Sequence, residues 1–514
     1  MEGKPPIAAW LWKLIPGFVQ VALLKAFAAA RRQGAEAAAP CTEDADGAGS
    51  GDVAQRLLDE IQRLQGEKDR LAAENERLRA EVAQWKERAG KNSRNSSLPP
   101  SSDRPHVKRR PPKKPAGRSR GGQPGHAKHE QPLLPPEEVN ETIPCRPDHC
   151  EHCGTVLVGE DPAPQRFQHW EIPPVKPVVN EYQLHRLSCP QCGKATTGKL
   201  PEGVGPGHYG PRASALPAVL MAEYRLSKRL CHRLAKELFG LPISIGQVCR
   251  MQAATAAIVQ PRITELLDYI KNCHANIDET SWKEEKQRCY LWVAATEKAV
   301  VYLIRPTRGA VVLQELVGAE PTKVVTSDRA KAYDTLPLTL RQLCWSHLQR
   351  DFQAMIDREN AGSEIGGYLL DFAGQMFHWW HRLGDGTIKQ TTFDGKIKLL
   401  REAVRETLEL GVDCGCAKTA ATCRELLARE PAMWTFAYVE GVEPTNNAGE
   451  REVRLPVIFR KLTYGTDSAN GSRVLEAILS TVATCRRQDR PAWDFFTEAH
   501  TAAFQGRPCP SLLT

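Results

Sequence analysis

Between residues 53 and 88 the chain repeats with a period of seven. Leu57, Leu64, Leu71, Leu78 and Trp85 fall at the d position of a heptad, and Ile61, Lys68, Asn75 and Val82 at the a position. An apolar stripe every 3.5 residues commits this segment to one continuous helix and leaves the stripe in need of a partner. Glu60, Glu67, Glu74 and Glu81 fill the g positions, followed at e by Gln65, Ala72, Arg79 and Lys86. Two of those four g-to-e′ pairs attract in a parallel dimer, and Asn75 at a favours two strands in register. The expectation is a homodimeric coiled coil over 51–90; the alternative is a single amphipathic helix folded back on the body. A rod encloses no core, so the remaining chain must supply separate domains.

It has the length to do so. At 514 residues with 41% apolar residues there is enough chain for two or three domains with sizeable cores. The rod ends in an abrupt change of composition over 92–135, rich in Asn, Ser, Pro and basic residues, which cannot bury a core and reads as a linker, 91–140. Net charge over the whole chain is only +8, so its placement matters more than its size. Between Arg104 and Arg120 there are basic residues and no acid; Lys108, Arg109, Arg110, Lys113, Lys114, Arg118 and Arg120 are the residues expected to contact DNA phosphates. The bland reading of such a run is a solvated tether.

Cys150-x2-Cys153 is followed by Cys189-x2-Cys192, each pair running into a glycine, Gly154 or Gly193. Two thiol pairs on tight turns satisfy tetrahedral Zn²⁺ with no open position, so the expected role is structural: a zinc ribbon over 141–200, with strands at 167–172 and 178–184. Cys145, His149 and His152 lie near enough to substitute for a ligand, and a disulfide framework is the competing reading. Most of the 16 cysteines are instead scattered singly through apolar segments, which fits a reducing cytoplasm better than secretion. Residues 1–50 form an extension whose apolar stretches are interrupted by Lys13, Pro16, Gly17 and Lys25. They leave no run long enough to span a membrane and no clear signal peptide; a short amphipathic helix or a poorly ordered extension is expected.

From 205 to 272 the pattern is helical, with runs over 213–224, 227–239 and 244–258. The turn from Gly240 to Ser244 ends in a good N-cap. The helix pair it joins has two open readings, a helix-turn-helix that reads DNA or a packed connector. After it come strand-like runs. Asp278 closes one, a hairpin of 290–295 and 299–304 follows, Gly309 to Gly318 reads as a short helix, and Asp328 follows the β-branched run 323–326. Glu450 follows Asn446-Asn447, which reads as a helix start. Two acids on neighbouring strands and a third on a later helix would form an oxygen cage for a hard divalent cation. Carboxylates about 4 Å apart repel by roughly 4 kcal/mol at an effective dielectric near 20, so such a cluster demands neutralisation. An arbitrary triple of acids in a chain this long would ordinarily be three unrelated surface residues.

The surrounding residues lift it above that. Asp278-Glu279-Thr280, the Asp328–Tyr333 segment, Cys344-Trp345-Ser346-His347 and Asn446-Asn447-Ala448-Gly449-Glu450-Arg451, with Arg454 and Arg460-Lys461, resemble in this order the transposases of the insertion sequence 66 family. The resemblance extends upstream through the cysteine pairs and covers roughly 55–490. That family belongs to the DDE transposases, so the resemblance implies a ribonuclease H-like mixed-sheet catalytic core over 273–490, interrupted by a helical insertion at about 348–440, with 491–514 as a C-terminal tail. The whole is then a multidomain α/β protein: coiled coil, zinc ribbon, helical connector and catalytic core.

The activity implied is DNA strand cleavage and strand transfer at element ends. Asp278, Asp328 and Glu450 would be the catalytic ligands of Mg²⁺ (or Mn²⁺), supported by His347, Arg451 and Arg454. Glu279 and Asp334 are the nearest competitors for ligand roles. The implied partners are element-end and target DNA, with accessory proteins of the same element, and no membrane. The rival readings are a DNA-binding regulator that has lost catalysis and a metal-dependent nuclease that does not join strands.

Overall fold

The computed structural model describes residues 51–96, 132–205 and 207–513. The extension 1–50 and the basic residues Lys108, Arg109, Arg110, Lys113, Lys114, Arg118 and Arg120 lie outside the described residues.

Helix α1 runs Gly51–Gly90, 40 residues, a rod about 60 Å long at 1.5 Å per residue. Leu64, Leu71, Leu78, Val82 and Trp85 are all at least half exposed, so among the described residues nothing covers the heptad stripe. The rod touches the body near its end: Glu87 pairs with Lys418, and in the turn beyond it Asn95 Nδ2 donates to Asp357 Oδ2 at 2.7 Å.

The cysteine-pair segment buries almost nothing. The strands expected at 167–172 and 178–184 do not form; Phe167, Ile172, Val178 and Val179 are exposed. Alternating apolar residues make a strand only where a neighbouring strand or packed face receives them, and none does here. The strands are β1 Arg186–Ser188 and β2 Ala195–Thr197, an antiparallel pair bracketing the second cysteine pair.

Next come three helices, α2 Pro211–Ala222, α3 Lys228–Phe239 and α4 Ile245–Lys271. Ser227 and Ser244 cap α3 and α4, each accepting a main-chain N–H from three residues on. Gly240 ends α3 in the left-handed region at φ 62°. Helix α4 is longer than the pattern suggested, because it continues through Pro261 instead of stopping before it.

A five-stranded mixed sheet follows, built from β3 Ala275–Glu284, β4 Gln287–Ala295, β5 Val300–Arg305, β6 Val325–Ser327 and β7 Arg341–Leu343. Its order is β5-β4-β3-β6-β7. The first three strands are an antiparallel meander and β6 and β7 join parallel to β3, with α5 Ala310–Val317 crossing over between β5 and β6. Between β7 and the next long helix lie α6 Trp345–Ile356, α7 Ser363–Gly384, α8 Gln390–Val412, α9 Ala417–Ala428 and the short α10 Glu430–Met433. These helices enclose a core of their own around Phe352, Leu369, Phe393 and Trp434. Then come α11 Asn447–Thr463, α12 Ala469–Arg487 and α13 Ala492–Phe504.

Helix α12 seals the sheet's β5 edge. Thr484 Oγ1, Ser480 Oγ and Glu476 Oε1 accept the N–H groups of Val300, Tyr302 and Ile304 at 3.0, 2.9 and 2.5 Å. Four residues of helix rise about 6 Å and two of strand about 7 Å, so an i, i+4, i+8 ladder matches every second strand residue. An edge that would otherwise template another strand is thereby closed. Residues 491–514, expected as a tail, instead carry α13, whose Phe495, Phe496, Ala499 and Ala502 sit buried in or beside the main core; their helical spacing is an amphipathic signal that the position at the chain's end obscured. Among the described residues no helix is long and apolar enough to cross a membrane.

Candidate functional site

The sheet places the first two acids. Strands β3 and β6 run parallel in the register Ala275↔Val325 and Asn276↔Thr326, which, continued by two residues, sets Asp328 opposite Asp278. Asp278 lies inside β3 instead of closing it, because the strand runs on to Glu284. Asp328 directly follows β6, and its Oδ1 accepts the Ala330 N–H at 2.8 Å.

Asn446 positions the third acid. It is completely buried; its N–H donates to Cys344 Sγ at 3.1 Å and its Nδ2 to the Ile277 carbonyl at 2.7 Å. One residue thus staples the start of α11 to the end of β7 and to the strand residue before Asp278. Glu450 stands in the first turn of that helix.

Electrostatics record the convergence. The Asp278 carboxyl is held well above the usual carboxylate range by burial and by the charges of Glu279, Asp328 and Glu450. Burial and Asp328 push Glu279 up as well, while Tyr333 and Arg308 pull it back. Its side chain is almost wholly enclosed: Arg308 Nε donates to Oε1 at 2.6 Å and the Tyr333 hydroxyl to Oε2 at 2.5 Å. Arg308 also lies 3.6 Å from Asp328 Oδ2. Glu279 is therefore occupied by protein partners. So is Asp334, which holds Arg341 at 2.7 Å and Arg429 at 2.8 Å and is pulled below its ordinary range first by its hydrogen bond to Arg429. Asp278 and Asp328 each accept a main-chain N–H at one oxygen and Glu450 Oε1 is buried with no hydrogen-bond partner, an all-oxygen set of the kind hard divalent cations complete, although among the described residues the three do not gather within 4.8 Å of one another.

Of the expected supporting residues, His347 is on the first turn of α6, with Nδ1 3.4 Å from Glu450 Oε1; burial lowers its pKa against the pull of Glu450. Arg451 and Arg454 are exposed on α11, with Arg454 one turn past Glu450 on the same face. Arg460, from the same motif, is committed to β3, donating to Ser281 Oγ at 2.9 Å and Thr280 Oγ1 at 3.2 Å. Sequence reasoning missed Arg308 and Arg350, the latter 3.5 Å from Glu450 Oε2. Neither stands in a recognisable motif, and only the fold carries them to the acids.

The cysteine pairs are built alike. Gly154 N–H donates to the Cys150 carbonyl and Gly193 N–H to that of Cys189, each at 2.9 Å, while Cys150 and Cys189 N–H reach Thr155 and Lys194 carbonyls, also at 2.9 Å. Both glycines are in the left-handed region, φ 74° and 68°, which the tight turn requires. Hydrogen bonding between the paired thiols lowers the pKa of Cys153 and Cys189, in Cys153 after the larger effect of Thr155 and in Cys189 after the backbone N–H groups of Cys192 and Gln191. Each pair is a preformed two-thiol turn; among the described residues the two pairs do not meet in one cluster.

Comparison with known proteins agrees with these features. The model described as "zinc-finger binding domain of transposase IS66" matches residues 147–193, and one for a family of unknown function matches 49–132. An uncharacterized protein, y4qI, of Sinorhizobium fredii (strain NBRC 101917 / NGR234) is 25% identical over 178 residues, which are 33% of this chain and 32% of that protein. The match thus spans about a third of the relative's length. No solved structure matches the chain. The model described as "Transposase IS66 family" matches residues 209–474, more than half of the chain and all three acids, and the chain belongs to that family.

Proposed function

We propose that this protein is a DNA transposase that cleaves the ends of an insertion sequence and joins them to target DNA, with Asp278, Asp328 and Glu450 as ligands of Mg²⁺ or Mn²⁺. The observation that carries the reading is the state of Asp278, whose carboxyl is buried beside three other acids, with Arg308 against Glu279 and Asp328 and Arg350 against Glu450. The sheet order, an antiparallel meander joined by two parallel strands, supports a ribonuclease H-like core. Bound divalent cations would supply the Lewis acidity that activates a water or 3′-hydroxyl and steadies the leaving oxygen.

The chain's own residues do the rest. Asn446 holds Glu450 toward the strand acids. Arg308 satisfies Glu279 and keeps it from competing as a ligand. Arg451 and Arg454 offer exposed cations for DNA phosphates, and His347 borders the same wall. The basic linker would add sequence-independent phosphate contacts. Zn²⁺ on Cys150, Cys153, Cys189 and Cys192 would order a segment that has almost no buried apolar surface, since such binding energy is folding energy. The open stripe of α1 suits a parallel dimer that pairs two catalytic domains.

Asp278→Ala, Asp328→Ala and Glu450→Ala test the reading. Each should lower Mg²⁺-dependent strand cleavage by about 10³-fold or more, about 4 kcal/mol in the barrier, while affinity for element-end DNA in a gel-shift assay stays nearly unchanged. Normal cleavage by Glu450→Ala would remove Glu450 from the site, and a wild-type protein that binds the ends but never cuts them would leave a regulator.

A further inference from the structure

Beside the three acids lies a cluster of a different chemical kind. Cys344, His347 and Glu450 bring a sulfur, an imidazole nitrogen and a carboxylate oxygen within 4.8 Å of one another. The fold fixes them separately, Cys344 at the end of β7, His347 in the first turn of α6 and Glu450 in the first turn of α11. Cys344 is buried. His347 Nδ1 and Glu450 Oε1 are shielded from water, 3.4 Å apart, and neither has a hydrogen-bond partner. Buried polar atoms without partners are rare and call for an explanation. In a tetrahedral zinc shell, with Zn–S about 2.3 Å and Zn–N about 2.0 Å, neighbouring ligand atoms lie about 3.3–3.7 Å apart. The cluster needs to contract by no more than about an ångström to reach that geometry.

We propose that Cys344, His347 and Glu450 form a second cation site, selective for zinc-class ions, and that its occupancy draws Glu450 away from the acidic site. Thiolate and imidazole favour zinc over magnesium or manganese, whereas Asp278 and Asp328 offer only oxygen. On binding, the Cys344 thiol proton leaves to solvent and sulfur, nitrogen and oxygen fill three positions, the fourth being open to water. Glu450 Oε2 keeps its neighbour Arg350. Glu450 thus belongs to two sites of opposite softness, and zinc and magnesium compete for it. The binding stands on the geometry alone; its effect on cleavage rests on the reading of Glu450 given above.

The full-length protein, equilibrated with zinc and freed of loose ion, should hold two zinc ions per chain by elemental analysis. Cys344→Ser should hold one, and Cys150→Ser should lose the other ion. Added zinc should inhibit the wild type, with the half-inhibiting concentration raised about tenfold or more in Cys344→Ser. If Cys344→Ser fails to fold, His347→Gln, checked by circular dichroism, decides the count in the same way. One zinc in the wild type, or two in folded Cys344→Ser or His347→Gln, overturns the proposal. A second zinc lost in Cys344→Ser, from a protein that cleaves with no metal at all, would uphold the site and sink the catalytic reading instead.

Discussion

At the β5 edge, Glu476 accepts the Ile304 N–H at 2.5 Å and faces Arg305 at 3.0 Å and Arg473 at 2.8 Å. Where β3 meets β6 in the same sheet, Asp278 is buried within reach of the charges of Glu279, Asp328 and Glu450. Both carboxylates are drawn out of water, and in both burial is the largest influence on the acid. They differ in what surrounds them. The edge carboxylate is met by donors and cations that tie helix α12 to strand β5, so it serves the fold. At the junction Arg308 serves Glu279 and Asp328, and Arg350 serves Glu450, while Asp278 has no ion pair among the described residues, an arrangement that weakens the fold unless a cation completes it. Charge compensation, more than burial, separates a structural acid from a candidate catalytic one.

Substitutions can break or sharpen that contrast. Asp278→Asn should have the largest effect, a fall of about 10³-fold in Mg²⁺-dependent cleavage, with a melting temperature, measured without divalent cation, equal to or above that of the wild type. A marked loss of stability would mean that Asp278 serves the fold as Glu476 does. Glu476→Ala should do the reverse. Leaving the Ile304 N–H without its acceptor, and Arg305 and Arg473 with one partner fewer, should cost about 3 kcal/mol in denaturant unfolding, with cleavage per folded molecule little changed.

Arg308→Ala comes next. Removing the cation that pairs with Glu279 leaves it with only Tyr333 and should cost about 1–2 kcal/mol, a deficit that added Mg²⁺ should reduce if the acids bind it.

The pH dependence is the mildest test. Burial pushes Glu476 up to about 7 against the pull of Arg473 and Arg305, and an unfolded glutamate titrates near 4.3. Between those values the folded state holds a proton that the unfolded state has lost. Stability should therefore fall as pH rises from about 4.5 to 7, by at most about 1.4 kcal/mol per pH unit for this group. Asp278 is shifted in the same direction and adds to the slope. Glu476→Gln should flatten the profile in urea unfolding; an unchanged slope would assign it to other groups.

Much of this was legible in the chain. Seven-residue periodicity called for α1 and glycine-closed Cys-x2-Cys pairs for the two tight turns. The Thr296-Glu297-Lys298 turn between apolar runs called for the β4–β5 hairpin, because these signals are local and carry their own geometry. The strands expected at 167–172 and 178–184 failed because alternation specifies a face without supplying anything to cover it. The C-terminal helix was missed although Phe495, Phe496 and Ala499 carry its pattern.

The sequence alone determined which residues can do chemistry here: three acids in ordered motifs, two thiol pairs, a basic linker, and the family to which those motifs belong. It could not determine which acids stay open to a cation, since Glu279 and Asp334 are as acidic as Asp278 and Asp328. Tertiary structure decided that, because deciding partners come from far along the chain: Arg308 and Tyr333 to Glu279, Arg429 to Asp334. The same packing brought Cys344 and His347 to Glu450, a meeting about a hundred residues apart that Asn446 fixes by its bonds to Cys344 and Ile277. Local spacing sets conformation, but electrostatic compensation depends on distances in space, and those exist only once the sheet and its helices have closed.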